Sequence, residues 1–372
     1  LEAAFRSARE ALGPVRSVAA HLAATLSPSP IVARRHYIET GTLRHVEVRP
    51  TTVAALPDAA ARPSDSDAVL LVALCDTARE RTEVVEAARE ITDPAVVVLV
   101  PRPLAGLRDV IEEEAAWRWV TTHTPALGTD AYAAEEASRQ VEAAATALAR
   151  RLDDVLGVTT GRGAVGAEWL HLGELVDVAG SRAALAFLSD VCEAVYPDAP
   201  RVANELINRA APSSAAKSAR IRLVEGVLDR AHRPMLGLSE TAFPPEKAMY
   251  LSILRAGRLH REVDGAWGFH LPTDDDDPAR LRPALLHLRD RLLEDDLAKV
   301  PVLDLFAALA APPFGVREGL LHLLLAVFVR IYERDVALYE DGVFSRRATP
   351  EQFQRLDKAP ERFALQFCAV EG

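Results

Sequence analysis

Two kinds of hydrophobic pattern alternate along this chain. Val69–Leu74 and Ala95–Val100 are unbroken apolar runs, as expected of strands covered on both faces. Thr82–Ile91, between them, has helical spacing. Strand, helix and strand in this order make a βαβ unit, so the spacing predicts a small parallel sheet. Arg35–Ile38 and Leu43–Val48 read as short strands and Pro50–Asp67 as a loop. Leu1–Leu26, Leu107–Val120 and Asp130–Leu156 read as helices, the last long and rich in alanine. Beyond Gly157 the periods turn helical: Glu168–Val178, Ser181–Tyr196, the end of a helix at Asn204–Arg209, Ser214–Ala231, Pro244–Arg258, Leu281–Asp295, Val302–Ala310 and Pro350–Leu356. Val316–Arg334 is apolar nearly all round and should be central in its domain. Val263–Leu271 reads as a hairpin. Val336–Tyr339 and Val343–Ser345 flank Asp341-Gly342, the signal for a two-residue type I′ turn. The expected fold class is therefore an α/β N-terminal part followed by a mostly α part ending in a winged-helix-like hairpin. The expected domains are an α/β domain over 1–160, a helical domain over 161–300, and a winged-helix-like module with the C-terminal tail over 301–372.

The stretch Asn204–Arg233 is the most self-consistent of the chain. Pro212 stops what precedes it, and Ser213 and Ser214 are good N-cap residues for the helix that follows. Placed at about 100° per residue, Ile221, Leu223, Val224, Val227, Leu228 and Ala231 form one apolar arc. Lys217 and Arg220 fall inside that arc, in the first turns. The helix dipole favours anions there, so the two cations call for a negative partner. Two partners fit. One is a carboxylate of this chain, toward which the 54 acidic against 43 basic residues lean. The other is an anion, such as a phosphate of nucleic acid or nucleotide, held with Ser213 and Ser214 at the helix start. Arg346 and Arg347, just beyond the hairpin, stand where a wing could touch a phosphate backbone.

Composition narrows the classes. Apolar residues make up 49% of the 372, charged residues 26%, and the formal charge is −11. Bulk attraction to nucleic acid is excluded, so any such binding needs a local basic face. Three widely spaced cysteines argue against a disulfide framework and for a reducing, cytoplasmic setting. No CxxC pair, HExxH or G-x-S-x-G is present. The longest apolar run, Leu320–Val329, is too short to cross a bilayer, so no membrane partner is expected. Gly161–Gly166 matches G-x-G-x-x-G, but it follows a long helix rather than a strand, so it reads as a hinge. Asp274–Asp277 lacks the spaced ligands of a calcium loop and reads as a solvated turn. His260 and Arg261, with Arg255 and Arg258, read as a solvated basic helix end. Cys75, at the end of a buried strand, reads as core. The chain begins without Met and is expected to be a piece of something longer.

The Asn204–Arg233 stretch, PPEKAMYLSILRAGRLHRE (Pro244–Glu262), PPFGVREGLLHLLL (Pro312–Leu325) and VALYEDGVF (Val336–Phe344) together resemble the middle of very large bacterial P-loop ATPases of phage-defence islands, of the BREX and phage-growth-limitation type. The likeness spans about Arg35 to Phe367. It implies ATP and Mg for the parent protein, and DNA or other subunits of a defence complex as partners. This chain departs from the ATPase pattern in having no G-x-x-x-x-G-K-[ST] loop, so no cofactor is expected in the chain itself. Asp76, after Val69–Leu74, stands where such enzymes carry a magnesium-site acid, but Thr77 rather than an acid follows it. Two functions are thus expected: a non-catalytic scaffold or binding segment working through the helical half, or a nucleotide- or Mg-dependent enzyme using the α/β half and Asp76.

Overall fold

A computed structural model describes residues 1–156, 166–208, 212–294 and 298–368. The chain divides into two compact units, Leu1–Ala33 with Arg44–Cys192, and Arg34–Leu43 with Glu193–Gly372.

The first unit opens with α1 (Glu2–Leu12) and α2 (Val18–Thr25), then β1 (Ile31–Val32). One continuous helix was expected here; Gly13, at φ +66°, and Pro14 break it. The next helix, α3 (Arg34–Thr40), lies where a strand was expected and belongs to the second unit. The first unit resumes with β2 (His45–Thr52), α4 (Leu56–Ala61), β3 (Ala68–Leu74), α5 (Ala78–Ala88) and β4 (Val96–Val100). The stretch read as a loop over Pro50–Asp67 thus contains the end of β2 and all of α4. Then come α6 (Arg108–His123), α7 (Ala131–Leu156), β5 (Glu168–His171), β6 (Glu174–Val176) and α8 (Gly180–Val195).

The six strands lie side by side in chain order. β2, β3 and β4 are parallel, with Leu70 opposite both Val48 and Val97. β1 and the β5–β6 hairpin extend the sheet antiparallel at either side. Every residue of β3 and β4 is buried, which explains their unbroken apolar pattern. Leu56, Val69, Leu71, Val84 and Val98 form the core on one face, under α4 and α5. On the sheet's other face α2 packs against β2 and β3. The sheet is therefore mixed rather than purely parallel, and Glu168–Val178 is a hairpin rather than a helix. β5 and β6 join this sheet beyond residue 160, and the first unit runs as far as Cys192. The hinge expected at Gly161–Gly166 lies, apart from Gly166, outside the described residues.

The second unit contains α9 (Ser214–Asp229), α10 (Pro245–Met249) running into a π-helical turn at Tyr250–Arg255, β7 (His260–Val263) and β8 (Ala266–Phe269). It continues with α11 (Arg282–Leu293), β9 (Val300–Pro301), α12 (Val302–Ala310), α13 (Glu318–Ile331), β10 (Val336–Glu340), β11 (Val343–Ser345), α14 (Pro350–Leu356) and β12 (Phe363–Phe367). Asn204–Asn208, expected as the end of a helix, is a run of turns in which Asn204 Oδ1 accepts from Leu206 N. Asp341 and Gly342 both have positive φ, as the two-residue turn between β10 and β11 requires. Four strands make an antiparallel sheet in the order β11-β10-β12-β9. α13 is buried at every position from Gly319 to Val329 and is central, as its pattern requires. One hydrophobic cluster runs from Val202 to Leu365. Gly41 sits in this unit at φ +74°, and a Cβ there would stand 2.2 Å from the Val202 carbonyl oxygen, so only glycine fits. Among the described residues no helix is long and apolar enough to cross a membrane.

Candidate functional site

The start of α9 is built as its sequence suggests. Ser213 is the N-cap, in extended conformation, and its side chain accepts from the Ala216 amide at 3.3 Å. Both cations of the first turns have carboxylate partners in this chain. Lys217 Nζ stands 3.2 Å from Glu318 Oε1, with both side chains nearly half exposed. Arg220 is buried: its guanidinium donates to Asp357 at the end of α14 and to the Glu318 and Gly319 carbonyl oxygens at 3.3 and 3.4 Å. The negative charge that a phosphate would have supplied at this helix start is therefore already present.

His322, on α13, joins the cluster. Its Nδ1 lies 3.3 Å from the Glu318 carbonyl oxygen and its Nε2 3.8 Å from Asp357 Oδ1. Burial first, and then the nearby Arg220 guanidinium, hold its pKa below the ordinary 6.5, against the opposing pull of Asp357. The unfolded chain therefore takes up a proton as pH falls through 6.5, and the folded chain takes it up only at lower pH. Stability from this residue is full above pH 6.5 and declines below it. His260 and His270 are shifted the same way, again mainly by burial. Denaturant melts across this range should show stability falling with pH, and His322→Gln should flatten part of the fall. An unchanged slope in that variant would mean that His322 titrates alike in both states.

Asp76 follows β3, as expected, but its carboxylate caps another helix. Its Oδ1 accepts from the Ala19 amide in the first turn of α2 at 3.0 Å, while its own amide donates to Glu80 Oε2 at 2.7 Å. Ser17 caps the same helix through Ala20 N. Among the described residues no group of three or more His, Cys, Asp or Glu side chains could hold a metal ion. Cys75 is fully buried and burial pushes its thiol up to about 11, so it stays a neutral core residue.

Arg346 and Arg347 are both exposed beyond β11. Arg347 Nε lies 3.7 Å from Glu333 Oε1. They share a cleft with Arg330 and Glu333, away from the one that Arg220 lines with Asp357 and His322. The expected anion residues thus form two clusters, one internally neutralised and one open.

His260, expected at a solvated basic end, is instead a core histidine. It is buried between Tyr250 Oη at 2.9 Å and the Ala231 carbonyl oxygen at 2.8 Å. Asp277, in the acidic turn, accepts from the Leu281 and Arg282 amides and so caps α11. Lys247 is a further buried charge that no motif in the sequence marks. Its buried ammonium donates to the Ser239, Glu240 and Ala242 carbonyl oxygens at 2.8, 2.7 and 3.0 Å, under the Phe243 ring. A lysine set in PPEKAMY gives no sign of this, because its partners are main-chain atoms. No family model, no curated protein and no solved structure matches this chain.

Proposed function

We propose that this chain is a non-catalytic binding or scaffold segment of a larger assembly, and that it makes its contact through the second unit. The lineage that its motifs resemble, the large P-loop ATPases of phage-defence islands, would supply ATP chemistry elsewhere in the parent protein. The observation that carries this reading is the use made of Asp76. A magnesium-site acid keeps its oxygens for the metal and its waters, whereas this one holds the N-terminus of α2. The sheet supports the same reading. Both crossovers from β2 to β4 step in one direction, so no reversal of strand order opens a crevice at the carboxyl ends, where α/β enzymes bind nucleotides.

The run α11, β9, α12, α13 and β10 has the element order of a winged helix-turn-helix, with β12 completing its sheet and β11 and α14 inserted in the wing. The helix in the recognition position is α13, which is buried along its length and so has no face to lay in a major groove. Contact by this unit therefore falls to the exposed hairpin and the arginines after it, a surface that suits a protein better than a base sequence.

The purified chain with magnesium and ATP should show no turnover. Asp76→Ala should cost about 1 kcal/mol through the lost helix cap. Both are read by phosphate release and a denaturant melt. Turnover that disappears in Asp76→Ala would overturn the reading in favour of an enzyme in the α/β unit.

A further inference from the structure

We propose that the free edge of β11 docks an extended acidic segment of a partner protein, which adds to the sheet as a further strand. This rests on the binding reading above and names the partner's chemistry. β11 is the outermost strand of its sheet. Glu340 and Val343 flank the two-residue turn and form the hydrogen-bonded pair of the hairpin, so Tyr339 and Phe344 form the non-bonded pair. The Phe344 N–H and C=O consequently point away from β10, toward the open edge. Val343 and Phe344 are 70% and 57% exposed, and β11 itself carries no charge or proline to guard the edge.

Charge supplies the identity of the occupant. Arg330, Arg346 and Arg347 line the cleft at the end of β11 with Glu333 as the carboxylate among them. Arg330 and Arg347 both face Glu333, and Arg346 has no ion pair among the described residues. A strand laid along β11 would run past this excess positive charge, so aspartates or glutamates in it would be matched. The hairpin's own acids do not interfere: Glu340 is bound by Arg355 and Asp341 by Arg362. Strand addition draws affinity from main-chain hydrogen bonds and selectivity from the alternate side chains, which here would meet Phe344 and the arginines. A phosphate backbone would use the arginines and leave Val343 and Phe344 in water.

The test is selection from a library of short random peptides on the whole chain, followed by anisotropy titration of a selected peptide. The expected result is enrichment of acidic, alternating sequences. Arg346→Glu with Arg347→Glu should weaken binding about tenfold or more, and a lysine-for-acid version of the peptide should bind that variant better than the parent chain. Phe344→Pro removes the outward N–H without touching the ladder to β10, so it should abolish binding, while Phe344→Ala should only weaken it. Thermal melts check that each variant folds. Failure to enrich acidic peptides would overturn the proposal, as would equal loss in the two Phe344 variants. A random-sequence DNA duplex bound more tightly than any peptide, through Arg346, would replace the partner with nucleic acid. Self-association lost in Phe344→Pro would replace it with a second copy. A chain that binds acidic peptides yet hydrolyses ATP keeps this site and loses the non-catalytic reading; one that does neither loses only this site.

Discussion

Arg220→Ala should destabilise the second unit by about 3 kcal/mol, because it leaves the part-buried Asp357 carboxylate without its partner. The Arg220 side chain is 3% exposed and that of Asp357 13%, so water can replace little of what is lost. Removing both charges together, as Arg220→Met with Asp357→Leu, should recover much of the loss, since replacing a buried pair by apolar side chains is often close to neutral. Lys217→Ala, three residues earlier, should change stability by less than about 1 kcal/mol, because its pair with Glu318 is close to half exposed and screened. It should also leave the salt dependence of any DNA binding unchanged. Denaturant melts of the three variants decide the matter. A small effect of Arg220→Ala, or a double variant as poor as the single, would mean that the buried pair does not hold α9 to α14.

Lys247→Met should be the other large loss, about 2 kcal/mol, because three hydrogen bonds from a buried ammonium are lost and water at the exposed turn residues Ser239, Glu240 and Ala242 replaces only part of them. The carbonyl oxygens of the turn at Ser239–Ala242 converge on this ammonium. Without it the oxygens repel one another, and the turn must open to water. Lys247→Arg should not rescue, because a planar fork cannot reproduce the spread of a compact ammonium donor. Amide exchange over residues 238–247 should rise sharply in both variants while α13 stays protected. Unchanged exchange there would show that the turn is held by something other than Lys247.

Some of this was open to reading. Val69–Leu74 and Ala95–Val100 are buried on both faces, and burial on both faces writes itself into the sequence as an unbroken apolar run. The Asp341-Gly342 turn, the cap at Ser213 and the centrality of α13 were legible because each depends on residues within a few positions. The β5–β6 hairpin was not. Its turn places Leu172 at φ +53°, which leucine does not advertise, and Trp169, Leu170 and Val176 are spaced as well for a helix as for strands. α3 was missed because its place is set from far off: Val202 N donates to the Thr40 carbonyl oxygen across the chain.

That Lys217 and Arg220 need negative partners was legible, since helical period and charge are local properties, although only Arg220 is buried while Lys217 stays nearly half exposed. Only the tertiary structure decided which partners. Asp357 lies 137 residues from Arg220, and one acid among many is singled out by the packing of α14 against α9. The position of Asp76 at the end of a buried strand was likewise legible, while its use was not. Whether a carboxylate there meets an ion or the amide of Ala19 depends on what the fold brings to its other side.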